Sequence, residues 1–215
     1  MRVRITFSKR DALRYTGHLD LHKIWERTAR RAGLPLLYSK GFHPQPKLSL
    51  AAALPLGFSS AAEILDLRLA DEFPLEHIRA RLNDSLPGGI RVLRVDRADE
   101  TAPSLQSQVV AAEYLVSLIE RLDLDFLQEK INTLLLADSL PRQRRGKSYN
   151  LRPLIEDLKL DPPEAVHELD GSQHIFMRLS AREGATGRPE EVLEALAVPL
   201  EITRIERKRL IFSSL

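Results

Sequence analysis

The first 95 residues show an order of hydrophobic patterns that strongly restricts the fold. Val3, Ile5 and Phe7 alternate with polar residues, which is typical of a strand with one buried face. From 18 to 32 apolar residues recur at helical spacing, until a glycine and a proline end the pattern. Extended segments, a second helix and a last strand follow at 36–38, 48–54, 63–69, 74–86 and 90–95. This order predicts a βαββαβ unit of the ferredoxin-like type.

The second half of the chain repeats the order of patterns, although no residue-by-residue repeat is visible. Its predicted strands, helices and extended basic segment lie at 112–119, 123–137, 140–150, 174–181, 189–198 and 202–212. A polar, proline-containing segment without periodicity separates the halves. We therefore predict an α+β protein with tandem ferredoxin-like (βαββαβ) domains at 1–97 and 111–215, joined by a linker at 98–110.

Composition excludes several classes of protein and site. The 215 residues are 43% hydrophobic and 29% charged, which suits a folded protein with a sizeable core. No apolar run approaches the roughly 20 residues that cross a bilayer, so we expect a cytoplasmic protein without a membrane segment. With no cysteine, the chain has no disulfide, thiolate zinc site, cysteine nucleophile or cysteine-ligated iron–sulfur cluster. Phosphate-loop, dinucleotide-binding and G-x-S-x-G motifs are also absent.

The positive charges are segregated along the chain, although the formal net charge is only +2. Residues 1–50 contain 11 Lys or Arg against 3 Asp or Glu, and residues 141–153 contain 5 Lys or Arg and no acid. Segregation of this kind is typical of proteins that bind polyanions such as RNA. The alternative is that these cations only solvate exposed faces.

The first predicted helix concentrates four cations on one face. At 100° per residue, Lys23, Arg27, Arg30 and Arg31 fall within roughly 100° of one another and opposite the apolar stripe. Guanidinium groups make bidentate contacts with phosphate oxygens, so this face suits a nucleic-acid backbone. An amphipathic helix needs a polar face in any case, and solvation alone remains an alternative.

The segment LYSKGFHPQPKLSL, residues 37–50, combines aromatic, cationic and stiffening residues. Tyr38, Phe42 and His43 offer flat faces for stacking, while Lys40 and Lys47 add positive charge. The two prolines restrict the preceding residues to extended geometry and so stiffen the loop. We predict a recognition loop for RNA. The alternative is a rigid connector whose aromatic residues fill the core beneath it.

Histidines near the first helix raise two further possibilities. His18 and His22 have the spacing of paired metal ligands, but a third ligand and the glutamate of HExxH are missing. We expect partly buried, hydrogen-bonded histidines and no metal. Together with His43 or Tyr15 they also have the chemistry for metal-independent RNA cleavage by general acid–base catalysis.

A longer stretch of sequence resembles a known family. The matching elements are HLD at 18–20, RRAGLP at 30–35, YSKGFHPQPKLS at 38–49, LPLG at 54–57 and NLRP at 150–153. In this succession the chain resembles the bacterial radical-SAM-linked proteins, a domain of unknown function found beside or fused to radical-SAM enzymes. The resemblance implies a partner that holds an iron–sulfur cluster and S-adenosylmethionine, and it carries over no catalytic residue.

Together these observations predict an accessory protein of a radical-SAM enzyme, without a cofactor of its own, that binds RNA or an RNA-containing particle. The residues predicted to bind RNA are Lys23, Arg27, Arg30, Arg31, Tyr38, Lys40, Phe42, His43, Lys47, Arg142, Arg144, Arg145 and Lys147. The alternatives are a metal-independent endoribonuclease or other RNA-processing enzyme, and a protein-interaction scaffold that binds no RNA.

Overall fold

A computed structural model describes residues 1–144, 146–161 and 173–213. The chain divides into two compact units. The first unit contains Met1–Val109 together with Ser213, and the second contains Val110–Phe212. No helix in the described parts of the chain is long and apolar enough to cross a membrane.

The first unit has four strands and two α-helices among its described residues. In chain order they are β1 (Arg2–Lys9), α1 (His18–Arg31), β2 (Leu48–Leu50), β3 (Ser59–Arg68), α2 (Leu75–Ser85) and β4 (Ile90–Arg97). The chain can leave α1 because Gly33 adopts a φ of 63°, in the left-handed region that favours glycine. The predicted extended segment at 36–38 forms only isolated bridges, from Leu36 to Leu69 and from Tyr38 to Pro46.

The strands of the first unit form an antiparallel sheet in the order β2-β3-β1-β4. Ile5 lies at the centre, opposite Leu65 on one side and Val95 on the other. The alternation in β1 places Val3, Ile5 and Phe7 in the hydrophobic core. The same core contains apolar residues of both helices, so one layer of helices covers one face of the sheet.

Helix α2 is fixed to β4 by a side-chain amide. Asn83 accepts a hydrogen bond from the backbone N–H of Val92 at 2.8 Å and donates to the carbonyl of Val92 at 3.2 Å. These two bonds satisfy both backbone groups of one residue of β4, which pairs with β1. No sequence pattern indicated this contact.

A buried ionic cluster, which no sequence pattern predicted, holds residues 99–103 against β1. Asp66 accepts hydrogen bonds at 2.9 Å from Nε of Arg2 and from Nε of Arg4, and both Arg2 and Asp66 are buried. Arg2 also donates, over 2.9–3.2 Å, to the backbone carbonyls of Asp99, Ala102 and Pro103. Part of the segment predicted as a linker is therefore hydrogen-bonded to β1.

The core of the first unit contains two polar atoms without hydrogen-bond partners among the described residues. They are Nε1 of Trp25 and Oγ1 of Thr28, both on α1, and both side chains are fully buried. Burial of an unsatisfied hydroxyl lowers the free energy of unfolding, and a methyl group of similar size avoids this cost.

We expect Thr28→Val to raise the free energy of unfolding by about 1 kcal/mol, because it removes the buried hydroxyl and keeps the shape of the side chain. Urea denaturation measures the change, and Thr133→Val on an exposed helix position is the control for helix propensity. A loss of stability in Thr28→Val beyond that of Thr133→Val would contradict this account.

The second unit contains the remaining described elements. In chain order they are β5 (Val109–Leu118), α3 (Leu124–Leu136), β6 (Pro141–Arg144), β7 (Lys147–Asn150), β8 (Ile155–Asp161), β9 (Gln173–Arg182), β10 (Ala185–Thr186), α4 (Pro189–Ala195) and β11 (Thr203–Phe212). Asp123 caps α3 by accepting bonds from the N–H groups of Asp125 and Phe126.

The sheet of the second unit has the order β9-β5-β11, with β8 and β10 both pairing with β9. Strands β6 and β7 form a separate hairpin, where the sequence predicted a single extended basic segment. Strand β8 was not predicted. The described chain is thus a mixed α+β protein with antiparallel strand pairs and four α-helices, which confirms the predicted fold class at this level.

Candidate functional site

Helix α1 presents the four predicted cations to solvent. Lys23, Arg27, Arg30 and Arg31 are all exposed, whereas Leu21, Trp25, Thr28 and Ala29 are buried. This division follows from the 3.6-residue period, because the buried residues recur every three or four positions. The predicted cationic face is therefore present on the folded helix.

These cations differ in the contacts that they already make. Arg30 bonds Glu26 at 2.5 Å, Arg31 donates to the carbonyl of Ser85 at 2.7 Å, and Lys23 lies 3.7 Å from Asp20. Arg27 makes no ion pair or side-chain hydrogen bond with any described residue. Arg27 is accordingly the cation of α1 that is most available to a ligand.

The loop after α1 is closed at its base. The N–H of Lys47 donates to the carbonyl of Leu37, and the N–H of Ser39 donates to the carbonyl of Gln45, both at 2.8 Å. A bridge between Tyr38 and Pro46 lies between these bonds. The loop is thus held at its base by backbone hydrogen bonds, which lowers the entropy that binding has to remove.

The tip of this loop exposes its aromatic and cationic residues. Phe42 has a relative exposure of 102%, so it contacts no core, and the interpretation of Phe42 as a core-filling residue is wrong. Lys40, His43 and Lys47 are exposed as well, and Tyr38 is 38% exposed. A fully exposed phenylalanine has no packing role in this fold, which favours a role in binding.

Helix α1 contacts the loop through Arg30 and Tyr38. The guanidinium carbon of Arg30 lies 6.0 Å from the centroid of the Tyr38 ring. Hydrogen bonding to Tyr38, followed by the charge of Glu26, raises the pKa of Arg30 above its ordinary value. The helix and the loop are thus in contact at Arg30 and Tyr38. We call the exposed residues predicted in the first unit the helix–loop surface: Lys23, Arg27, Arg30, Arg31, Tyr38, Lys40, Phe42, His43 and Lys47.

A cavity of about 270 Å³ adjoins the base of the loop. Lys47 lines it together with Arg2, Arg68, Ser49 and Asp66. Arg2 forms an ion pair with Asp66, and Arg68 forms one with Glu100 at 2.6 Å. Lys47 is therefore the lining cation that makes no such pair among the described residues.

The second basic cluster lies in the other unit and is partly committed to internal contacts. Arg144 bonds both carboxylate oxygens of Glu191, at 2.7 and 2.9 Å, and donates to the Tyr149 hydroxyl at 3.0 Å. Its guanidinium fixes the β6–β7 hairpin to α4. Arg142 is half-buried and donates to the carbonyl of Pro141, whereas Lys147 is exposed.

Two further predictions concern single residues. The predicted RNA contact at Arg145 lies outside the described residues. His22 is half-buried as expected, but His18 is exposed, because it is the first residue of α1 and precedes the buried stripe. No group of three or more histidine or acidic residues in the described chain is arranged to hold a metal ion.

Comparisons with known proteins identify a family and a related fold. A family model described as an uncharacterized protein conserved in bacteria (DUF2344) matches residues 2–189. A search of curated proteins finds no match.

The solved structures that match the chain include the following two. The crystal structure of a Cbf5-Nop10-Gar1 complex matches 97% of this chain at 9% identity and a TM-score of 0.50. The chain spans about half of that neighbour, 48% of its length, and the likeness concerns the fold alone. A protein proposed to be a glycine cleavage system transcriptional repressor matches at 12% identity over 99% of this chain and 98% of its own, with a TM-score of 0.25.

Proposed function

The chain belongs to this family of uncharacterized proteins conserved in bacteria, and from that premise we propose that it is a cytoplasmic accessory protein that binds RNA for a radical-SAM enzyme. The observation that carries the RNA part is the contact between Arg30 and Tyr38. This contact joins a helix face with four exposed cations to a closed loop whose phenylalanine is fully exposed.

The chemistry of the helix–loop surface suits RNA with unpaired bases. Cations on α1 attract the phosphate backbone, and an exposed aromatic ring stacks on a base that is not already paired. Arg27 and Lys40 are exposed and make no ion pair with described residues, so binding RNA does not require them to break one.

The partner part of the proposal rests on the resemblance of residues 14–69 to the radical-SAM-linked proteins. The chain has no cysteine, so a cysteine-ligated iron–sulfur cluster has to come from the partner. On this proposal the protein presents or recognises the RNA, and the partner carries out the reaction.

We also propose that both units are ferredoxin-like. The order β2-β3-β1-β4 in the first unit and β8-β9-β5-β11 in the second supports this assignment. In each unit one helix follows the first strand and another precedes the last, as in a βαββαβ unit.

Phe42→Ala is expected to lower the affinity for single-stranded RNA about 5- to 150-fold, because stacking on an aromatic ring is worth about 1–3 kcal/mol per base. Phe42→Trp should retain the affinity. The stability of the fold should not change, because the side chain is fully exposed. Fluorescence anisotropy with a labelled single-stranded oligonucleotide measures the affinity.

The control for this substitution is Phe126→Ala, which removes an exposed phenylalanine from α3 of the other unit. Equal affinities of wild type and Phe42→Ala would remove the loop from the proposed binding surface. Cleavage of the oligonucleotide in the presence of a chelator would instead favour the endoribonuclease alternative. Capture of a protein partner that survives ribonuclease, without any RNA binding, would favour the scaffold.

A further inference from the structure

The sheet of the second unit has one buried face, and its opposite face is open around Phe176 and Arg178, whereas His174 and Ser180 on that face are buried. On β9, Ile175, Met177 and Leu179 are fully buried, while the intervening Phe176 and Arg178 are half-buried on the opposite face. A cavity of about 670 Å³ lies on this second face. One aromatic side chain, three cations and three carboxylates line it.

Phe176 lies in a row of neighbours across three strands. The register places Lys159 of β8 on one side of it and Leu115 of β5 on the other. Nζ of Lys159 is 5.0 Å from the centroid of the Phe176 ring. A half-buried ring beside an ammonium group offers a planar apolar surface next to a positive charge.

Arg178 lies in the next row, between Asp157 of β8 and Glu113 of β5. A register shift between Ile155 and Asp157 brings Glu156 to the same arginine, whose Nε donates to it at 3.0 Å. No described residue accepts a hydrogen bond from the terminal amino groups of Arg178. Those amino groups are donors available to a ligand.

Four charged residues of the cavity form two ion pairs, one held by two hydrogen bonds and one by a single longer contact. Arg209 donates to both carboxylate oxygens of Glu113, at 2.5 and 2.9 Å, and this contact raises the pKa of Arg209 above its ordinary value. Nζ of Lys159 lies 3.4 Å from Oδ2 of Asp157, which is longer than the contacts of Arg209. The two side chains are 56% and 44% exposed. The Arg209–Glu113 pair lines one side of the cavity. In the Lys159–Asp157 pair, each side chain can contact a ligand in place of the other.

We infer that this open sheet face binds an unpaired nucleotide. The base stacks on Phe176, the phosphate lies between Lys159 and the amino groups of Arg178, and Asp157 accepts a hydrogen bond from a sugar hydroxyl or a base amine. Three carboxylates on the same face disfavour a duplex, whose two backbones bring many phosphates. Sheet-borne aromatic residues stack single bases in other nucleic-acid-binding domains.

This inference does not rest on the proposed function, because the face and the helix–loop surface lie in different units. The nucleotide has two possible sources, a free nucleoside monophosphate or an unpaired residue of an RNA chain. Titration calorimetry with the four nucleoside monophosphates and with single-stranded tetranucleotides distinguishes them. Adenosine and ribose 5-phosphate separate the contributions of the base and the phosphate.

We expect millimolar or tighter binding of nucleotide, lowered about 5- to 150-fold by Phe176→Ala. Lys159→Gln should weaken nucleotide binding more than adenosine binding, since the phosphate contact that it removes is made by the nucleotide alone. The matched control is Phe126→Ala on α3, where Lys130 lies 5.2 Å from the ring in a similar pair outside the cavity.

Absence of nucleotide and tetranucleotide binding to the wild type at millimolar concentration would overturn the inference. Unchanged affinity in Lys159→Gln would overturn the phosphate position, whether or not Phe176→Ala folds. Variants of Phe42 and Arg27 should keep full nucleoside monophosphate binding. If these variants lose binding to single-stranded RNA but still bind nucleoside monophosphates, the two results test the helix–loop surface and this sheet face separately.

Discussion

Asp66→Asn is expected to lower the free energy of unfolding by about 3–5 kcal/mol, the cost of breaking a buried ion pair by removing one partner. The substitution keeps the size of the side chain and removes the charge that faces Arg2 and Arg4. Arg2 is 5% exposed, so water cannot compensate its charge. Such a loss is a large part of the 5–15 kcal/mol that stabilises a typical domain.

Urea denaturation measures this loss, and Asp71→Asn provides the control. Asp71 is exposed and forms no ion pair with a described residue, so its substitution should change stability by less than about 0.5 kcal/mol. An Asp66→Asn protein within about 1 kcal/mol of wild type would show that the carbonyls of residues 99–103 alone suffice for Arg2.

Neutralising the three cations of the helix–loop surface that form no ion pair with a described residue is expected to lower RNA affinity about 100-fold at 0.1 M salt. The variant combines Arg27→Gln, Lys40→Gln and Lys47→Gln, three exposed residues without ion pairs among the described residues. Each lost phosphate contact on a single strand reduces the slope of log affinity against log salt by about 0.7. Three contacts then account for about two orders of magnitude.

A control with the same loss of charge separates a specific surface from general attraction. Arg121→Gln, Arg188→Gln and Arg204→Gln remove three exposed arginines of the second unit that pair with no described residue. This control should lower RNA affinity less than tenfold. Equal losses in the two triple variants would show that net charge, and not the helix–loop surface, determines binding.

The sequence allowed the elements of the first unit to be predicted because hydrophobic period and chain-breaking residues coincide there. The helix predicted over 18–32 is observed at His18–Arg31, followed by the left-handed Gly33. Strand β8 was missed because its apolar residues do not alternate strictly: a register shift between Ile155 and Asp157 separates Ile155 from Leu158 by three positions. Periodicity identifies elements and their buried faces, but it does not reveal which strands are neighbours.

The sequence alone could not predict which charged residues form ion pairs with one another. Arg144 appeared to be one of a group of free cations, yet its partner Glu191 is 47 residues away in the chain. Asp66 lies 64 residues from its partner Arg2, and no sequence pattern links the two. The open face around Phe176 was missed for the same reason, since its lining residues come from four strands.

The most direct test of the account is the salt dependence of RNA binding by the wild-type protein. Titrating single-stranded RNA from 50 to 300 mM salt should give a linear plot of log affinity against log salt, with a negative slope that becomes shallower by about 2 in the Arg27/Lys40/Lys47 variant. That result would establish phosphate contacts at the helix–loop surface. No binding at 50 mM salt, or the same slope in both proteins, would contradict the account.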